Sequence, residues 1–245
     1  TNIVGKYGKQ VQDVLKKASG IEIKMVCPLH GFVWRKKFNQ LLEKYIQWAT
    51  YTPEETGVVI AYGSIYGNTA NLADILAAKL TERGIKVALY DASYTAADEI
   101  LAAAFRYSHL VFASATYNAG IYIAMENLLH DIVNHNLQNR TVAFVENGSW
   151  APDATVTVRS SLKEKQSGEV DALVDAIAAT IPGAKPAVPS KEKVISMLRS
   201  NPAELLTMLA AAAAPSAVAT PVDPLAFQKF SYGLFVLTAR DGAKD

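Results

Sequence analysis

The chain has 245 residues, of which 50% are hydrophobic, and its 24 Lys+Arg against 23 Asp+Glu leave a net charge of +1. This length and apolar content can bury at least one sizeable core and exclude a disordered tail, and the near-zero charge gives no general reason to bind nucleic acid or an anionic membrane. A single cysteine, Cys27, excludes an internal disulfide framework and fits a reducing, cytoplasmic compartment. The longest uncharged run, 205–222, is mostly alanine and holds Pro215 and Pro221, which makes it a poor membrane span. The chain opens at Thr1 inside a helical pattern and stops at Asp245 just after a strand-like one, so a piece of a longer protein is expected.

Residues 4–18 place Val4, Val11, Val14 and Leu15 on one face and Lys and Gln on the other, an amphipathic helix with Gly20 as its stop. A strand is expected over 21–26. It leads into Cys27-Pro28-Leu29-His30-Gly31, a turn opened by proline and closed by glycine, with His30 directly after the strand. A lone histidine in a turn is commonly satisfied by backbone hydrogen bonds, whereas a transition-metal site gathers several protein ligands. His109, His130 and His135 lie far along the chain.

A second amphipathic helix is predicted over 38–48. From there strands and helices alternate: strand 57–62, helix 70–83 stopped by Gly84, strand 86–91, helix 96–106, strand 109–114, helix 121–134 and strand 141–146. Thr95 is the expected N-cap of the helix over 96–106, with Asp98 three residues on. Continuous apolar strands such as Val58-Val59-Ile60 predict an α/β fold, a doubly wound parallel sheet with helices on both faces. Only Ala151-Pro152-Asp153-Ala154 separate Trp150 from the strand-like 155–159. A parallel crossover needs roughly a dozen residues, so this fifth strand is expected to be atypical, turning back antiparallel. A last helix spans 167–181. Beyond it come helical stretches over 191–198 and 203–214 and an Ala/Pro-rich tether.

Such sheets bind ligands at the carboxyl ends of their strands. After the first strand stands Ser64-Ile65-Tyr66-Gly67-Asn68-Thr69, a hydroxyl-rich turn opening a helix, and hence an anion site built from backbone amides, the Ser64 and Thr69 hydroxyls and the helix dipole. It has no Lys to reach a γ-phosphate and lacks the three-glycine dinucleotide fingerprint, which sets aside both of those nucleotide classes. Gly63, Ser64 and Ser114 stand where a phosphoryl-accepting receiver needs carboxylates for Mg²⁺. The third strand is followed by Thr116-Tyr117-Asn118-Ala119-Gly120 and the fourth by Asn147-Gly148-Ser149-Trp150, both uncharged at their tips. Tyr117 and Trp150 could stack on a flat ring. One loop for a phosphate and two for a planar heterocycle suit a mononucleotide cofactor.

The 64–69 loop resembles the FMN-phosphate loop of flavodoxins, and Thr116-Tyr117-Asn118 and Asn147-Gly148-Ser149-Trp150 resemble the two loops that flank the isoalloxazine. The segment from Cys27 to Trp34-Arg35 is similar to the end of the metallo-β-lactamase-like domain of flavodiiron proteins, and residues 225–239 resemble the opening of a flavin-reductase-like split barrel. The resemblance implies a flavodoxin-like sheet of order 2-1-3-4. It divides the chain into a diiron-domain end (1–52), a flavodoxin-like domain (53–182), a linker (183–224) and the start of a reductase domain (225–245). It also implies non-covalently held FMN contacting Ser64, Ile65, Tyr66, Gly67, Asn68, Thr69, Thr116, Tyr117, Asn118, Gly120, Asn147, Gly148, Ser149 and Trp150. His30 would be the last iron ligand of a diiron centre completed by residues this chain lacks.

The implied function is electron transfer to a diiron centre that reduces O₂ or NO. The donor would be a flavin reductase or a rubredoxin-like protein, and the parent a head-to-tail homodimer with no nucleic-acid or membrane partner. Loops without positive charge would disfavour an anionic reduced flavin and so imply a low potential. The alternatives are a stand-alone flavodoxin-like NAD(P)H:quinone oxidoreductase and a simple flavodoxin electron carrier.

Overall fold

A computed structural model describes residues 3–148, 162–189 and 191–213. In chain order, a 3-10 turn (Gly5–Tyr7) leads into α1 (Gly8–Ala18) and α2 (Phe38–Ala49). These are followed by β1 (Glu55–Gly63), α3 (Asn68–Glu82), β2 (Val87–Asp91), α4 (Ala97–Arg106), β3 (Tyr107–Tyr117) and a two-residue β4 (Gly120–Ile121). Then come α5 (Ile123–Asn134), β5 (Thr141–Asn147), a short 3-10 turn, α6 (Ser167–Ala179), α7 (Lys191–Ser200) and α8 (Pro202–Ala213).

The four long strands are parallel in the order β2-β1-β3-β5, and β4 folds back antiparallel on β3. This is the expected 2-1-3-4 order, with β5 as the fourth long strand. Val58 to Tyr62 are buried on both sides, as the unbroken apolar run requires of a central parallel strand. Alternation divides the side chains. Val58, Ile60, Tyr62, Val111, Ala113, Ala143 and Val145 face α3 and α6. Val59, Ala61, Leu110, Phe112, Val142 and Phe144 face α4 and α5. The helix after β1 therefore covers one face and the helix after β2 the other, and the winding reverses between β1 and β3.

Gly84 ends α3 as expected. At φ +72° it takes the left-handed turn, donating its amide to the Thr81 carbonyl at 2.8 Å, while the Ile85 amide reaches Leu80 at 3.1 Å and its side chain enters the core. Two expectations are corrected. Residues 21–26 form no strand: the backbone makes a single antiparallel bridge, Val26 to Trp34, and with Ile21, Ile23 and Met25 exposed no sheet or core holds the segment extended. Thr95 does not cap α4. Its amide is turned back to the Asp91 carbonyl at 2.8 Å, and the helix starts from Ala96 with no side-chain cap. The strand-like 155–159 and the segment 225–245 lie outside the described residues.

The segment before β1 is fixed to the amino ends of the strands. The Tyr51 hydroxyl donates to the Gly5 carbonyl at 2.9 Å and accepts from Asn136 at 3.0 Å, and Gly5 lies so close to the Phe105 ring that a Cβ there would stand 2.3 Å from it. Arg140 completes the joint. Its guanidinium donates to the carbonyls of Tyr51 at 2.6 Å, Ala104 at 3.0 Å and Phe105 at 2.6 Å. Among the described residues no helix is long and apolar enough to cross a membrane.

Candidate functional site

The sheet register aligns the carboxyl ends of β1, β3 and β5. Gly63 of β1 pairs with Ser114 of β3, which pairs with Glu146 of β5. The three loops singled out in the sequence thus leave the sheet side by side.

In the first loop, Gly67 adopts φ +83° at the N-cap of α3, a left-handed conformation that admits glycine at little cost. It turns the chain so that Asn68 and Thr69 form the first helical residues, whose amides have no intrahelical carbonyl to bond. The Ser64 and Thr69 hydroxyls are buried, Thr69 to 1% exposure, and neither has a hydrogen-bond partner. A buried hydroxyl left unpaired costs about 1–3 kcal/mol. Two such groups at one helix N-terminus, with no acidic residue in its first turn, make a cradle that needs an acceptor of negative charge. Ile65 and Tyr66 are exposed beside it, Tyr66 to 89%. Gly63 is close-packed: a Cβ there would meet the Tyr122 ring at 2.8 Å.

The second loop is a tight hairpin. Thr116 pairs with Ile121 and Tyr117 with Gly120, leaving Asn118 (φ 49°) and Ala119 (φ 60°) both left-handed in the turn. Asn tolerates this conformation; Ala does so at a cost of about 1 kcal/mol or more. The turn leaves the Tyr117 ring half exposed over the end of the sheet.

The third loop meets the second. Gly148 is buried so tightly that a Cβ would stand 2.6 Å from the Thr116 methyl and 3.0 Å from Oε1 of Glu146, and the Thr116 hydroxyl reaches the Asn147 carbonyl at 3.5 Å. Ser149 and Trp150 lie outside the described residues. The structure thus gathers Ser64, Gly67, Asn68, Thr69, Thr116, Tyr117, Asn118, Gly120, Asn147 and Gly148 at one end of the sheet, flanked by Ile65 and Tyr66.

Two carboxylates near these loops were not among the sequence candidates. Glu146 follows the apolar run of β5 and brings its carboxylate beside Gly148, so the third loop is not free of charge at its base. Asp74 sits one and a half turns into α3, only 3% exposed, and its Oδ2 has no partner. Burial pushes its carboxyl up to about 7. The sequence signal available for Asp74 was a lone acid on the apolar side of an otherwise amphipathic helix.

His30 sits in an exposed turn, and among the described residues no group of three His, Cys, Asp or Glu could hold a metal. His109 has a structural role. It is buried with Nδ1 at 2.7 Å from Ser108 Oγ and Nε2 at 3.0 Å from Thr180 Oγ1, tying the end of α6 to the sheet, and burial holds its pKa below the ordinary value.

Comparison with known proteins agrees with this architecture. The family model described as Flavodoxin matches residues 60–158, which contain all three loops. An uncharacterized protein of Methanocaldococcus jannaschii is 28% identical over 121 residues, covering 49% of this chain and 30% of that protein. The anaerobic nitric oxide reductase flavorubredoxin of Aeromonas hydrophila is 26% identical over 167 residues, covering 66% of this chain and 34% of its own length. The chain therefore spans about a third of the curated relatives it matches. Among solved structures, the flavodiiron protein from Giardia intestinalis has the same fold, with a TM-score of 0.63 at 19% identity over 72% of this chain and 49% of that one. A flavodoxin domain implies FMN as cofactor. Residues 60–158 are thus similar to the flavodoxin family, and a longer stretch of the chain is similar to flavorubredoxins.

Proposed function

We propose that the three loops hold FMN, and that this domain relays electrons in a larger oxidoreductase. The observation that carries the reading is the pair of orphaned buried hydroxyls, Ser64 and Thr69, at the N-terminus of α3. A phosphate monoester supplies the acceptors these groups lack, and the free amides of the first helical turn add donors at no further cost in charge. The residues present therefore fit the group.

In this reading Ser64, Gly67, Asn68 and Thr69 bind the phosphate, with Ile65 and Tyr66 covering its outer side. Thr116, Tyr117, Asn118 and Gly120 form one wall for the ring system. Asn147 and Gly148, together with Ser149 and Trp150, form the other. Bound FMN supplies one- and two-electron chemistry, and the chain supplies position and redox tuning. Neither the 64–69 loop nor the 116–120 loop carries a cation, and Glu146 adds a carboxylate at the base of the third. This surrounding disfavours negative charge on the ring and holds the potential low.

The full-length protein is then a reductase of O₂ or NO. Residues 1–52 belong to the end of its diiron domain with His30 as an iron ligand, residues 183–224 form a linker, and residues 225–245 open a flavin reductase. Electrons reach the domain from that reductase or a rubredoxin-like donor and leave it for the diiron centre of a partner subunit in a head-to-tail dimer. What supports this is a similarity to flavorubredoxins over 167 residues, longer than the 60–158 flavodoxin match.

Purification tests the cofactor assignment directly. The chain should be yellow, with FMN in about equimolar amount released on denaturation, and Asn68→Trp or Thr69→Leu should bleach it. A chain that stays colourless after incubation with excess FMN refutes the assignment.

A further inference from the structure

Asp74 stands out as a buried acid on the helix that cradles the phosphate. It is 3% exposed, its Oδ2 has no partner, and six residues of helix place it about 9 Å along the axis from Asn68. Among the described residues, the elements packed on this side of α3 offer no charge that could compensate it. β1 presents Tyr62, itself 2% exposed and with its hydroxyl on Asp91. β2 presents Asp91, a second carboxylate. β3 and β5 present Val111, Ala113, Ala143 and Val145. α6 presents Asp171 and Asp175, already paired with Lys79 and Arg83 further along α3. No cation among the described residues faces Asp74, and the nearest titratable neighbours are acidic.

We propose that Asp74 is a proton-linked residue for the phosphate of FMN: the carboxyl is protonated when the phosphate dianion binds, so that binding takes up a proton. This rests on the assignment of the loop as a phosphate site. The physical reason is the absence of any cation in residues 63–72, which leaves a dianion and an ionised Asp74 to repel each other through the protein interior along one helix. Amides and the helix dipole can hold the phosphate; a buried carboxylate behind them opposes it. Burial alone pushes the Asp74 carboxyl up to about 7, so the change lies near neutral pH before any ligand arrives. The sign follows from linkage: the bound state holds Asp74 protonated to higher pH than the free state, so affinity falls as pH rises above about 7 and levels off once both states are ionised.

The experiment measures FMN and riboflavin dissociation constants by flavin fluorescence from pH 6.5 to 9, where the phosphate monoester is already largely a dianion, its second pKa being about 6. For the wild-type chain FMN affinity should weaken by about tenfold or more across this range, while riboflavin, which lacks the phosphate, stays flat. Asp74→Asn keeps the shape and removes the titration, so its FMN affinity should be flat and exceed that of wild type at pH 9. Calorimetry of FMN binding to the unmodified chain at pH 7.5, in two buffers of different ionisation enthalpy, should show net proton uptake. FMN affinity that is independent of pH, an equal slope in Asp74→Asn, or no proton uptake overturns the proposal while leaving the FMN site standing. If neither flavin binds at any pH, the site assignment and this inference fall together.

Discussion

Thr69→Val separates a phosphate-binding hydroxyl from a merely structural one, because the two roles predict opposite effects in the apo and ligand-bound proteins. The substitution is close to isosteric at a position 1% exposed, so it leaves little cavity. In the apoprotein it deletes a buried hydroxyl that has no partner, and relief of that desolvation should raise stability by about 1–2 kcal/mol. In the FMN complex it deletes a hydrogen bond to a charged acceptor worth about 1.5–3 kcal/mol, which corresponds to a ~10–150-fold loss of affinity. Urea unfolding of the apoprotein and fluorescence titration with FMN read the two terms independently. Riboflavin affinity should be unchanged. A variant whose apoprotein is less stable than wild type by ~1 kcal/mol or more, and which binds FMN within about twofold of wild type, would show the hydroxyl to be a packing group and refute the cradle.

Ala119→Gly should stabilise the chain by up to about 1 kcal/mol in thermal unfolding, since φ 60° suits glycine and strains alanine. Arg140→Met should cost about 3–5 kcal/mol in urea unfolding by stranding the carbonyls of Tyr51, Ala104 and Phe105, with FMN affinity unaffected because the joint lies at the other end of the strands. His109 is neutral in the fold, with a pKa lowered from 6.5 by burial; the unfolded chain takes up a proton first as pH falls through 6.5, so wild type should lose stability there relative to His109→Gln, and equal pH dependence of the two would contradict the assignment.

Periodicity made most of this fold legible. The run Val58-Val59-Ile60 and its counterparts could bury both faces only in a covered parallel sheet, and Gly84 could end α3 only by taking a left-handed turn. The candidate site was legible for the same reason: strand ends point to the loops, and hydroxyls with glycine before a helix are the chemistry that suits an anion. What escaped the sequence depends on contacts between distant segments. Residues 21–26 have strand-like composition but acquire only the bridge from Val26 to Trp34, and a strand is defined by its partner. Thr95 has cap chemistry, yet the turn from Asp91 claims its amide. Glu146 acquires its meaning from Gly148 packed against it, which has no local signature, and Asp74 from a burial that the sequence marks only as a lone acid on the apolar side of α3.

The two ends of the sheet have separate tasks, and this bears on how a relay would be wired. Every contact that fixes the amino-terminal segment, from Gly5 against Phe105 to Arg140 on Tyr51, lies where the strands begin. The loops proposed to hold FMN lie where they end. β1 alone has nine residues, so about 30 Å of sheet separates the joint from the cradle. In the proposed parent protein, a domain attached through that joint would meet the sheet at the end away from the proposed flavin loops, and the multiply bonded Arg140 and the glycine pressed against the Phe105 ring would hold that attachment stiffly.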